Sequence, residues 1–132
     1  MTTDESYEKG LRLRRETFGA AGTDELLQNV SEMNEKMQDI VTRYCFGDIW
    51  QRDGLDLRTR SMITLSMLVA LGREHETRIH LKGAIANGVT AAEIRELMVH
   101  SFLYCGIPAA ATGLRIAEEV LADAAGSEAS RG

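Results

Sequence analysis

The run from Leu57 to Leu71, set between Asp56 and Gly72, is apolar on nearly every side of a helix once its first turn is passed. A helix that is hydrophobic all round has to be covered all round, so this segment demands a shell of other elements. Asp56 suits its N-cap and Gly72 its C-terminus. The continuous apolar part, Met62 to Leu71, contains Thr64 and Ser66 and is too short to cross a bilayer. The expectation is a central buried helix, with no membrane partner.

The rest of the chain also reads as helix. Glu5 to Phe18 carries Tyr7, Leu11, Arg14 and Phe18 and is stopped by Gly19. Gly22-Thr23-Asp24 is a turn that launches a short helix through Leu26, Leu27 and Val30. After Ser31, the residues Met33, Met37, Ile40, Val41, Tyr44 and Cys45 recur at three- and four-residue spacing, an amphipathic stripe that ends at Gly47. A connector through Trp50 leads to Gly54, and a further helix fills Gly72 to Gly88. Thr90-Ala-Ala-Glu93 is a capping box with Val89 and Ile94 at the staple positions, and Ile94, Leu97, Met98 and Phe102 form the apolar face that follows. Gly106-Ile107-Pro108 breaks that helix and opens a last one through Leu114, Ala117, Val120 and Leu121. Ser127 to Gly132 reads as a flexible tail. No period-2 pattern competes, so the reading is an all-α bundle of about six helices in one domain spanning residues 1–132.

Such a chain covers its apolar helix poorly alone. The helix before Gly88 has few large apolar residues (Ile79, Leu81 and Ile85), while Gly83, Ala84 and Ala86 invite close approach by another helix. A homo-oligomer follows. The net charge of -5 argues against a nucleic-acid groove or an anionic membrane surface, but not against a small anionic substrate, which needs only a few local arginines. Cys45 and Cys105 form no C-x-x-C and read as small hydrophobes. The polar, acidic Met-Thr-Thr-Asp-Glu-Ser start is unlike a signal peptide, and the expected location is a reducing cytoplasm.

Chemistry concentrates between Gly72 and Gly88. Glu76 and His80 stand four residues apart, so their side chains meet on one helix face. A carboxylate orients an imidazole and raises its pKa, which suits general acid/base catalysis. The same spacing also describes a solvated ion pair contributing roughly 0.2–0.5 kcal/mol, and spacing alone does not choose between them. A metal site using Glu76, His80 and His100 lacks clustered ligand spacing, so no metal is expected. Among the arginines, Arg60 and Arg73 flank the apolar helix and suit capture of a substrate carboxylate. His75 reads as surface, and Trp50 as either a pocket wall or a core plug.

In order along the chain stand Tyr7-Glu-Lys-Gly with Arg14-Arg15, Phe46-Gly47-Asp48-Ile49-Trp50, Arg52-Asp-Gly-Leu-Asp56, Arg58-Thr-Arg-Ser61 and Ala70-Leu71-Gly-Arg73. The Glu76…His80…Asn87-Gly88-Val89-Thr90 run and Tyr104-Cys105-Gly106-Ile107-Pro108-Ala109-Ala110 complete the set. Together they resemble the carboxymuconolactone decarboxylase family from about Tyr7 to Val120. More distantly they are similar to alkylhydroperoxidase D-type proteins, which carry C-x-x-C-x-x-x-H on the equivalent helix. Counting back from Gly88 sets His80 on that histidine, Arg73 and Glu76 on the two cysteines, and Ser61 where the relay glutamate lies, so thiol peroxidase chemistry is not expected.

The resemblance implies an alkylhydroperoxidase D-like helical bundle assembled as a trimer or hexamer. It also implies cofactor-free decarboxylation of γ-carboxymuconolactone in the β-ketoadipate branch of aromatic catabolism. His80 would be the acid/base, oriented by Glu76, with Arg73, Arg60, Ser61 and Trp50 as substrate-binding candidates. The chain departs from the family pattern at Gly22-Thr23-Asp24, at Met33 and Met37 ahead of Gln38, and at Ala111, which bears on the substrate more than on the fold. Two other readings stand beside a carboxy-lyase. One is a related cofactor-free isomerase, cyclase or carbon–carbon lyase in biosynthesis. The other is a non-catalytic oligomeric binding protein.

Overall fold

The computed structural model describes residues 3–131, with side chains from 5 to 127. Among the described residues the fold is all-helical. Its helices are α1 (Thr3–Phe18), α2 (Ala20–Gln28), α3 (Glu35–Ile40), α4 (Leu57–Leu71), α5 (Glu74–Ala86), α6 (Ala91–Cys105) and α7 (Ile107–Arg131). Helix α3 runs without a break into a π-helical segment, Val41–Phe46, and a 3-10 turn spans Ile49–Gln51. The last helix continues past Ser127, where the sequence suggested a tail. No helix among the described residues is long and apolar enough to cross a membrane.

The chain divides into two compact units, residues 1–57 and 58–132. In the first, α1 packs on α2 and on the π-helical segment. Two glycines set the distance. A Cβ on Gly10 would lie 1.8 Å from the Thr42 carbonyl oxygen, and one on Gly47 would lie 2.1 Å from that of Ser6. Backbone therefore touches backbone, which only glycine permits.

The interior of this unit is more polar than expected. Leu13 and Phe46 are buried, but so are Arg14, Thr17, Thr23 and Thr42. The stripe expected to face inward is turned out instead: Met33 is 93% exposed, Met37 58% and Tyr44 58%. The cause is the Arg14 guanidinium, which hydrogen-bonds Gln38 and Thr42 and so draws the opposite face of α3 and the π-helical segment against α1. Cys45 and Cys105 are free thiols, each partly buried.

In the second unit, Leu65 and Val69 of α4 join Leu81, Ile94, Met98 and Ile116 in one core. Gly113 of α7 makes room for them. A Cβ there would meet Met98 Sδ at 2.7 Å and Val69 Cγ2 at 3.3 Å. Helix α4 is not the wholly buried element expected. Only Ser61, Leu65 and Val69 are buried, while Met67 is 60% and Leu71 71% exposed. The neighbouring helices cover one stripe and leave the rest open. Gly72, Gly88 and Gly106 end α4, α5 and α6 at φ values of 72°, 91° and 89°, the left-handed region where glycine carries no Cβ penalty. The capping box at Thr90 and Glu93 is fully formed. Arg58 pairs with Glu93, Arg78 with Glu119, and Arg115 with Glu74 at 2.8 Å, clipping α4 to α6 and α5 to α7 at the surface.

Gly10→Ala should lower stability by about 3 kcal/mol or more, since neither backbone can yield to the new methyl. Gly22→Ala, in α2 with open space around it, should raise stability by about 0.5–1 kcal/mol. Thermal melts of the two variants check the contrast, and similar melting temperatures would remove the backbone contact as a cause.

Candidate active site

Helix α5 presents its chemistry along one edge. Thr77, Leu81 and Ala84 bury the inner stripe, and His80 sits at the rim, partly buried. Glu76, one turn earlier, is exposed. Two opposing influences act on the imidazole. Burial lowers its pKa below the ordinary 6.5, and the negative field of Glu76 partly restores it. Burial is the larger, so the neutral ring is favoured in the free protein.

Arg73 is the N-cap residue of α5 and shares this edge at positions 73, 76 and 80. It also helps line a small cleft of about 90 Å³ with Thr77, Thr112 and Ile116. Ser61 lies elsewhere: it is 2% exposed and accepts a hydrogen bond of 3.0 Å from Asn87 Nδ2, beyond the far end of α5. Arg73 and Asn87 are each seven residues from His80, roughly 10 Å along the axis. Ser61 and Arg73 thus belong to opposite ends of the helix, with His80 midway. Arg60 is half-buried in the first turn of α4, and its carbonyl accepts the Thr64 hydroxyl. Trp50 belongs to the other unit, where its ring lies 5.3 Å from that of Phe46. There it lines an open cleft of about 530 Å³ with Lys9, Arg12 and Arg52. Of the two readings of Trp50, pocket wall and core plug, the wall describes its place.

His75 is exposed, as expected, and His100 is exposed beside Tyr104. Among the described residues no group of three or more His, Cys, Asp or Glu is placed to hold a metal ion. Sequence reasoning missed Asn87 as the partner of Ser61. The only available signal was its place before Gly88 at a helix end. It also passed over Arg14, whose burial no local pattern announces.

Residues 35–119 match the model of the carboxymuconolactone decarboxylase family. The chain is 40% identical over 123 residues to a 4-carboxymuconolactone decarboxylase of Acinetobacter baylyi, covering 93% of this chain and 92% of that one. It is 32% identical over 117 residues to a nitrosuccinic acid decarboxylase of Metarhizium robertsii, covering 89% and 82%. An uncharacterized 15.0 kDa protein of Paracoccus denitrificans is 34% identical over 80 residues, covering 59% and 60%.

NMR titration should find the His80 imidazole below 6.5, and Glu76→Gln should lower it further by removing the field that opposes burial. The sign for stability follows. Below 6.5 the unfolded chain takes up this proton before the folded one does, so stability falls as pH drops from 6.5 towards the folded value. A His80→Gln variant should lose that part of the slope. An imidazole titrating above 6.5 would contradict the burial argument.

Proposed function

The chain belongs to the carboxymuconolactone decarboxylase family, and from that premise we propose that it decarboxylates γ-carboxymuconolactone or a similar small dianionic acid, with His80 as general acid/base and no cofactor. It is an enzyme of the carboxy-lyase type. The observation that carries the reading is the placement of Glu76 and His80 on one edge of α5, inside the span that matches the family.

The substrates named for the two decarboxylase relatives share a chemical plan. Each has two carboxyl groups, and in each the carbon that loses one can pass its electrons to oxygen. In carboxymuconolactone the path runs through the ring double bond to the lactone carbonyl. In nitrosuccinic acid it runs to the nitro group. The carbon–carbon bond to the departing carboxylate breaks, its electron pair moves to that oxygen, and carbon dioxide leaves. A proton then goes to carbon, so the step needs an acid at that carbon and positive charge near the oxygen. His80 supplies the proton. Arg73, on the same edge, or Arg60 supplies the charge, and Ser61 and Trp50 remain candidates for binding the rest of the substrate. The depressed pKa of His80 fits a dianionic substrate. A carboxylate brought alongside raises that pKa, so the ring takes up its proton as the substrate binds. The same reading places the reaction in aromatic catabolism in the cytoplasm.

The exposed apolar surface supports self-association. Leu71 is 71% exposed, Leu103 69% and Phe102 46%, and an apolar groove of about 680 Å³ runs along Met62, Val99, Phe102 and Leu103. Such patches on a soluble helical chain mark interfaces. Copies of the chain, as a trimer or hexamer, would cover α4 where its own neighbours do not.

With γ-carboxymuconolactone as substrate, His80→Ala should lose ~10²–10⁴ in kcat while remaining folded. Glu76→Gln should move the pH profile rather than abolish turnover. Unchanged turnover in folded His80→Ala sinks the assignment. Light scattering should give a trimer or hexamer, and Leu103→Glu should split it. A monomeric wild type would end the assembly proposal.

A further inference from the structure

The polar interior of residues 1–57 plays no part in the reaction above. Apart from Asn34 Oδ1, which is buried without a hydrogen-bond partner among the described residues, two groups on α1 stand out. The first is Arg14, 8% exposed. Its Nη1 donates to Thr42 Oγ1 and its Nη2 to Gln38 Oε1, each at 3.0 Å, and its Cζ lies 6.0 Å from the centre of the Phe46 ring. Both acceptors are neutral. Among the described residues no carboxylate pairs with Arg14, and only two of the five guanidinium N–H groups find an acceptor. A buried charge ordinarily has a counter-charge. Asp24 pairs with the exposed Arg15 at 2.8 Å.

The second group is the Thr17 hydroxyl. Thr17 is 4% exposed, and its Oγ1 has no hydrogen-bond partner among the described residues. Three other buried helical hydroxyls satisfy themselves locally. Thr42, Thr77 and Ser101 each donate to the carbonyl four residues back. Thr17 does not, although Leu13 offers such a carbonyl. Three residues apart on α1, Arg14 and Thr17 occupy one face. A cation without an anion and a donor without an acceptor, side by side, call for the same thing: an anion with several acceptor atoms.

We propose that Arg14 and Thr17 form a subsite for a carboxylate of a small organic acid. The guanidinium offers its unused N–H groups to the two carboxylate oxygens, and Thr17 adds a hydroxyl donor. Gln38 and Thr42 fix the plane of the guanidinium beforehand, which reduces the ordering cost of binding. Thr23 of α2 donates to the Arg14 carbonyl at 3.3 Å, so α2 lies against this part of α1. The subsite stands on these observations alone.

Trp50 is the chain's one tryptophan, and its ring is in contact with Phe46, on which Arg14 rests. Titrating the intact protein with succinate should give a saturable change in tryptophan fluorescence, and neutral succinamide should give none. Arg14→Met should weaken succinate at least ~10-fold, and Thr17→Val by roughly 3–10-fold. Arg12→Met, which alters the open cleft beside Trp50, should leave the affinity unchanged. Should Arg14→Met fail to fold, Thr17→Val decides the matter, because removing an orphaned hydroxyl leaves the ligand-free melt as high as the wild type's or higher. No saturable change in the wild type, equal affinity in Thr17→Val, or weakening by Arg12→Met in place of Arg14→Met each overturns the subsite. His80→Ala separates this proposal from the last: it should bind succinate normally while losing turnover. If succinate binds through Arg14 but the wild type turns over no γ-carboxymuconolactone, the subsite stands and the decarboxylase reading falls.

Discussion

Leu65 and Val69 bury one stripe of α4, and the helices of residues 58–132 are arranged around that stripe. The arrangement works because Gly113 is small: the space a Cβ would take there is filled by Met98 and Val69. The same geometry limits it. Helices packed on one side of α4 cannot reach the other, so Met67 and Leu71 stay in water. Burying side chains of that size is worth about 1.5–3 kcal/mol each. A sequence that keeps them apolar is suited to a partner surface, and the exposed Phe102 and Leu103 extend the argument to α6.

Residues 1–57 solve a different problem. Gly10 and Gly47 bring α1 and the π-helical segment into backbone contact, which leaves little room for large apolar side chains between them. The interior is filled instead by Arg14, the threonines and Gln38, held by hydrogen bonds. Polar interiors are costly unless every group is satisfied. Among the described residues Thr17 Oγ1 has no hydrogen-bond partner and Arg14 has no carboxylate, so this interior is less self-sufficient than the apolar core of residues 58–132.

Local signals in the sequence were readable and nonlocal ones were not. The capping box at Thr90 and the helix stops at Gly72, Gly88 and Gly106 depend on residues within a few positions, and the structure forms each of them. The burial of α4 was overestimated because an all-round apolar helix says that it needs cover, not which chain provides it. Periodicity marked the stripe from Met33 to Tyr44 but not its surroundings, and Met33, Met37 and Tyr44 are exposed. Here the inward choice is made by Arg14, more than twenty positions away. In sequence Arg14 looks like Arg12 and Arg15, and only packing distinguishes it. The four-residue spacing of Glu76 and His80 was legible, whereas the partial burial that lowers the His80 pKa was not.

In the proposed reaction, that partial burial bears on what kind of acid His80 would be. A fully solvated imidazole beside Glu76 would hold its proton near neutrality whether or not a substrate were present. A deeply buried one would refuse the proton altogether. At the rim of α5 burial outweighs the field of Glu76 and favours the neutral ring, so in the proposed reaction a further negative charge is what would bring the proton on. An anionic substrate is such a charge, and it arrives where burial has already weakened competition from water. Proton and substrate are then coupled through the field between them, which is a way for a side chain on a simple helix to be loaded as an acid only when there is a carbanion to protonate.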